Sequence, residues 1–73
     1  MKYYKWIFDD DAIVVRKSDA GIYEFYFDKN IGFGYDPYDD YKLDFYSDLR
    51  NNPEKITEIS EEEAYKIIKK QND

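Results

Sequence analysis

Three runs of alternating side chains open this chain, and they constrain its fold more than anything else in it. Tyr3 to Phe8 sets Tyr4, Trp6 and Phe8 against Tyr3, Lys5 and Ile7. Ala12 to Lys17 carries the β-branched trio Ile13, Val14 and Val15, and Ile22 to Phe27 sets Tyr23, Phe25 and Phe27 against Glu24. A period of two, enriched in aromatic and β-branched residues, predicts strands. The breaks are turn chemistry: Asp9-Asp10-Asp11, then Ser18-Asp19-Ala20-Gly21. Strands joined by such short turns pair antiparallel, as a meander. Ile31 to Tyr35 reads as a fourth, short strand, whose Gly32 and Gly34 leave one side bare.

The chain has 73 residues, enough for one small domain spanning 1–73, with a correspondingly small core. Fifteen aromatic residues (nine Tyr, five Phe and one Trp) argue against disorder, since disordered chains are poor in them. There is no Cys and no His. That excludes disulfides, Cys or His zinc sites, and Ser-His-Asp or Cys-His catalytic pairs. With 11 basic and 17 acidic residues the formal charge is −6. Phosphate backbones and anionic lipid repel such a chain, so neither direct nucleic-acid binding nor membrane association is expected. The longest apolar stretches, Trp6-Ile7-Phe8 and Ala12 to Val15, fall far short of a membrane span. No apolar segment follows Lys2 and Lys5, so no signal peptide is read and a cytoplasmic location is the expectation.

The last segment reads as a short extended piece, Lys55 to Ile59, followed by a helix capped by Ser60. Glu63 stands three residues after Ser60, as in a capping box. Glu61, Glu62 and Glu63 then lie at the positive end of the helix dipole, and Lys66, Lys69 and Lys70 toward its negative end. Ala64, Ile67 and Ile68 form a stripe that must dock on the sheet, because so short a helix is marginal alone. Trp6, Val15, Phe25, Ile67 and Ile68 are the expected core, with the helix stripe facing the aromatic sheet.

The middle, Asp36 to Asn52, supports two readings. Asp36-Pro37, with Asp39 and Asp40, resembles a helix start, and Tyr38, Tyr41, Phe45 and Leu49 follow at helical spacing. Tyr41, Leu43 and Phe45 also alternate like a strand. The expected architecture is therefore α+β: a three- to four-stranded antiparallel meander, a C-terminal helix packed on one face, and a short middle helix from Pro37.

The opening Tyr3-Tyr4-Lys5-Trp6 and the ending Ile56-Thr57-Glu58-Ile59-Ser60-Glu61-Glu62-Glu63-Ala64 resemble those of short, uncharacterised acidic proteins of low-GC Gram-positive bacteria and their phages. The resemblance implies no activity, cofactor or catalytic residue.

The other motifs are weak. Asp9-Asp10-Asp11 suits a solvated turn better than a metal, because consecutive strand residues point to opposite faces. Asp28-Lys29-Asn30-Ile31-Gly32 departs from an EF-hand loop, with Phe33 where the invariant Gly belongs. Gly32-Phe33-Gly34 lacks the third glycine of a dinucleotide fingerprint. No metal or cofactor is expected, and no catalysis.

The acidic middle is sharper. From 36 to 48, Asp36, Asp39, Asp40, Asp44 and Asp48 stand against Lys42 alone. Asp40, Asp44 and Asp48, four apart, share a face of either a helix or a strand. One reading is a solvated face, on which all three could become Asn without harm to folding. Another is a non-enzymatic interaction module that meets a basic protein surface through these acids, with Tyr38 and Tyr41 as anchors. A third is a nucleic-acid mimic that inhibits a DNA- or RNA-binding protein, of phage origin.

Overall fold

The computed structural model describes residues 1–27, 29–34 and 40–72, the side chains of residues 40 and 72 excepted. The first strand, β1, runs Lys2–Phe8 and the second, β2, Asp11–Lys17. Asp9 at φ 50° and Asp10 at φ 65° make the bend between them. A two-residue hairpin of this kind needs positive φ at both central positions, which aspartate tolerates better than most residues. The tight turn fixes a register that runs from Phe8↔Asp11 to Lys2↔Lys17. A second turn leads to β3, Tyr23–Tyr26. There the Gly21 N–H donates to the Ser18 carbonyl at 2.9 Å and the Ile22 N–H to Ser18 Oγ at 3.1 Å. The φ of 83° at Gly21 suits a residue without a side chain. The last meander strand, β4, is Phe33–Gly34.

Among the described residues the sheet has five strands, one more than the meander of up to four expected. Ile56–Ile59 forms β5 and pairs antiparallel with the free edge of β1, Tyr3 opposite Ile59 and Trp6 opposite Ile56. The order is β4-β3-β2-β1-β5. A meander leaves one edge of its first strand unpaired. That edge passes through the apolar centre of this molecule, where backbone polar groups require partners.

The middle of the chain is a helix. α1 spans Asp40–Asn51 and α2 spans Glu61–Asn72, each of 12 residues, so the middle helix is not the shorter. The expected start at Pro37 lies outside the described residues. Asn52-Pro53 ends α1, because the residue before a proline is driven out of helical conformation. A 3₁₀ turn over Pro53–Lys55 then hands the chain to β5.

Alternation sorts the sheet into two faces. Tyr4, Trp6 and Phe8 share one face with Ile13, Val15, Phe25 and Ile56; Phe45 and Tyr41 of α1 cover it. Tyr3, Val14, Tyr26, Phe33 and Ile59 share the other, covered by Ala64, Ile67 and Ile68 of α2. The fold is thus a three-layer sandwich, one helix to each face. Trp6, Val15, Phe25 and Ile68 are buried as expected, and Ile67 is half-buried. The α2 stripe docks on the aromatic sheet as expected, on the face of Tyr3, Val14 and Phe33, and α1 takes the opposite face, which holds Trp6 and Phe25. The side chain at Phe45 is large enough to fill that space, and Ala64 lets α2 sit close on the other.

The cap on α2 forms as expected: the Glu63 N–H donates to Ser60 Oγ at 3.1 Å. Ser60→Ala removes that acceptor and is expected to cost about 1 kcal/mol, read as a lower urea midpoint at unchanged slope. Phe45→Ala is expected to cost about 3–5 kcal/mol, and hydrogen exchange should show the loss first in the amides of α1. A midpoint unmoved by Phe45→Ala would mean that α1 does not cover the aromatic face.

Candidate interaction surface

The acidic row of α1 does not survive folding as a row. An α-helix turns about 100° per residue, so positions four apart drift about 40° round the axis at each step. Asp44 is exposed, but Asp48 has been carried into the protein and is 9% exposed. Its Oδ2 accepts a hydrogen bond from Trp6 Nε1 at 2.9 Å and its Oδ1 one from Asn52 Nδ2 at 3.1 Å. The Trp6 indole N–H holds the Asp48 carboxyl below its ordinary value; burial opposes this, while Asn52 and the positive charge of Lys55 add to it. Asp48 is therefore a structural acceptor, and replacing it together with Asp40 and Asp44 disturbs the core.

Tyr41, the expected anchor beside the row, is turned inward. Its ring stacks on Phe27 at 5.7 Å and meets Trp6 and Phe8 edge-on at 6.2 and 5.9 Å. Asp36, Tyr38 and Asp39 lie outside the described residues, and Asp40 opens α1. Of the seven expected contact residues, the described structure thus places only Asp44 on the surface.

The same helix exposes something else. Leu43, Tyr46 and Leu49 are 68%, 37% and 39% exposed. Steps of three along a helix keep side chains neighbours, so the three make a ridge rising across the outer side of α1. Tyr46 leans on Tyr23 and Phe45, at 5.8 and 6.1 Å between ring centroids, which fixes its position. Leu49, which follows Tyr41 and Phe45 at helical spacing in the sequence, is on the exposed side of that spacing. The available signal was the excess: Tyr41, Leu43, Phe45, Tyr46 and Leu49 are more large apolar residues than one buried stripe holds.

Elsewhere the polar contacts hold the fold together. Arg16 Nε bonds Glu24 Oε1 at 2.8 Å across β2 and β3, and its guanidinium lies 4.3 Å over the Phe33 ring. Burial works against the Arg16 charge, but the bond and attraction to Glu24 outweigh it and raise its pKa. On the same face, burial and the Tyr65 hydroxyl push the Tyr3 phenol up. Among the described residues no three carboxylates stand together as a metal cluster, and no helix is long and apolar enough to cross a membrane.

No protein-family model matches the chain, and no curated protein or solved structure matches it either. Function must be read from this geometry.

The bond from Trp6 gives Asp48 a pH signature. A carboxyl whose folded pKa lies below its unfolded one, about 3.9, contributes stability in full above the unfolded value and loses it as pH falls through the folded one. Wild type should therefore lose stability below about pH 5 more steeply than Asp48→Asn, which does not titrate. Melting both proteins from neutral to acid pH tests this. Parallel curves would show that the carboxylate is not held as described.

Proposed function

We propose that this chain is a non-enzymatic protein-interaction module that docks through the outer side of α1. The observation that carries the reading is the ridge of Leu43, Tyr46 and Leu49, exposed on a helix whose inward positions are already filled by Tyr41, Phe45 and Asp48. A contiguous apolar group on a small domain marks a contact surface, and tyrosine is enriched where binding energy concentrates. The partner is a protein whose apolar patch is edged by basic groups. The formal charge of −6 attracts such a surface over a distance, and Asp44 stands exposed on the same helix to meet it. The nucleic-acid-mimic reading has less support, since burial of Asp48 removes one of the three evenly spaced carboxylates it needs.

The test compares the immobilised full chain with Leu43→Glu/Leu49→Glu and with Asp44→Asn in the same lysate. Both leucines are exposed, so each change should alter stability by less than about 0.5 kcal/mol. The double variant should lose the bound protein, at a cost of about 2 kcal/mol or more in affinity. Asp44→Asn should retain it with weaker dependence on salt. Retention of the same proteins by wild type and the leucine variant would overturn the reading.

A further inference from the structure

Two of the eleven basic residues face each other at one end of the sheet. In the β1–β2 register Lys2 stands directly opposite Lys17, and in the β2–β3 register Lys17 stands directly opposite Tyr23. The three make one row across three strands, on the face that holds Tyr4 and Val15. Directly opposed residues of an antiparallel pair have Cβ atoms about 5 Å apart, and like charges there are destabilising. Two lysine stems that start this close can bring both ammonium groups to one anion.

Among the described residues neither lysine forms an ion pair within 4 Å. The acids nearby in the register are Asp19, which holds the Met1 ammonium at 3.0 Å, and Glu58, which stands on β5 opposite Tyr4. The Lys17 ammonium lies 5.4 Å over the Tyr23 ring, which keeps it at the row. Beside the row is an open depression of about 240 Å³, lined by Met1, Lys2, Lys17, Ser18 and Asp19. That volume is several times what a water molecule occupies, and it suits a small polyatomic anion.

We propose that the depression lined by Lys2 and Lys17 is an oxyanion-binding site, which takes a phosphoryl or carboxylate group. Both groups share the chemistry that the site offers: several acceptor oxygens for charge-assisted bonds from two lysines. An anion held by both stabilises the folded chain by mass action. The site is independent of the α1 ridge and stands or falls separately.

The experiment is a proton–nitrogen NMR titration of the full chain with inorganic phosphate, and in a second arm with acetate, both at ionic strength held constant with chloride. Saturable shifts should centre on the amides of Lys2, Lys17 and Ser18. Saturation by phosphate alone assigns a phosphoryl ligand, by acetate alone a carboxylate ligand, and either supports the site. Lys17→Gln should weaken binding about tenfold or more, while Lys17→Arg, which keeps the charge, should bind. Phosphate should also raise the melting temperature of wild type by on the order of 5 °C at tenfold excess over its dissociation constant, and leave that of Lys17→Gln nearly unchanged. Linear shifts equal to those in chloride, or the same half-saturation in wild type and Lys17→Gln, would overturn the proposal.

Discussion

Trp6 is where the two halves of this small molecule are joined. It sits on β1, between β2 and β5, and is 0% exposed. Its ring stacks on Phe8 at 4.8 Å and meets Phe45 edge-on at 5.4 Å. A buried indole carries one donor, and leaving that donor unpaired costs free energy. Asp48 supplies the acceptor at 2.9 Å. Phe45 and Asp48 lie three residues apart on α1, so the ring contact and the hydrogen bond together fix both the rotation and the longitudinal position of the helix. No buried polar side-chain atom among the described residues is left without a partner.

Covering both faces of one sheet with 73 residues leaves each core thin, and the two differ in kind. The α1 side is built from rings: Trp6, Phe25 and Phe45 are buried, with Tyr4, Phe8, Tyr23, Phe27 and Tyr41 around them. Aromatic side chains bury large areas through few rotatable bonds, which suits a chain too short for many core positions. The α2 side has smaller residues at its centre, Val14, Ala64 and Ile68, beside the buried ring of Tyr3, with the half-buried rings of Tyr26 and Phe33 at its border. The Arg16–Glu24 pair closes that border, half-buried and laid over Phe33. This division explains the aromatic surplus in the sequence. Most of the tyrosines in the described strands serve as half-buried borders to one core or the other.

The parts of the fold legible in the sequence were those whose cause is local. Alternation gave β1 to β3, the paired aspartates and Gly21 gave the turns, and Ser60 gave the start of α2. What was not legible depends on partners far along the chain. Ile56–Ile59 reads as extended from its own residues, but only β1, fifty residues earlier, makes it a sheet strand. Alternation says that residues fall on two faces without saying which helix takes which face, and only the packing of Phe45 against Trp6 and of Ala64 against Tyr3 and Val14 settles it. The acidic row failed for a geometric reason. A spacing of four is near one helical turn but not equal to it, and over eight residues the drift carried Asp48 from solvent to the Trp6 indole. Asp44 and Leu43 were judged by residue type, and only the position of Phe45 decides that both face out.

The charge distribution is organised by the same two-faced construction. Side chains in the middle of a covered sheet are mostly apolar, with Lys5 and the Arg16–Glu24 pair as half-buried exceptions, so most charge lies at the strand ends, the turns and the outer helix surfaces. Acids at the Asp9-Asp10 turn and in the first turn of α2 sit where backbone geometry and the helix dipole favour them, and need no further reason. Lys2 and Lys17 have no such reason. They face each other at the end of a sheet whose overall environment is acidic, and the register that opposes them is set at the far end of the hairpin by Asp9 and Asp10. The turn therefore fixes, across the whole length of two strands, which side chains meet at the other end. A one-residue slip would move both lysines away from Tyr23 and would also turn Trp6 and Val15 out of their core. The lysine row is thus held in place by the same constraint that holds the core: the register that buries Trp6 and Val15 also keeps Lys2 and Lys17 side by side on the depression they line.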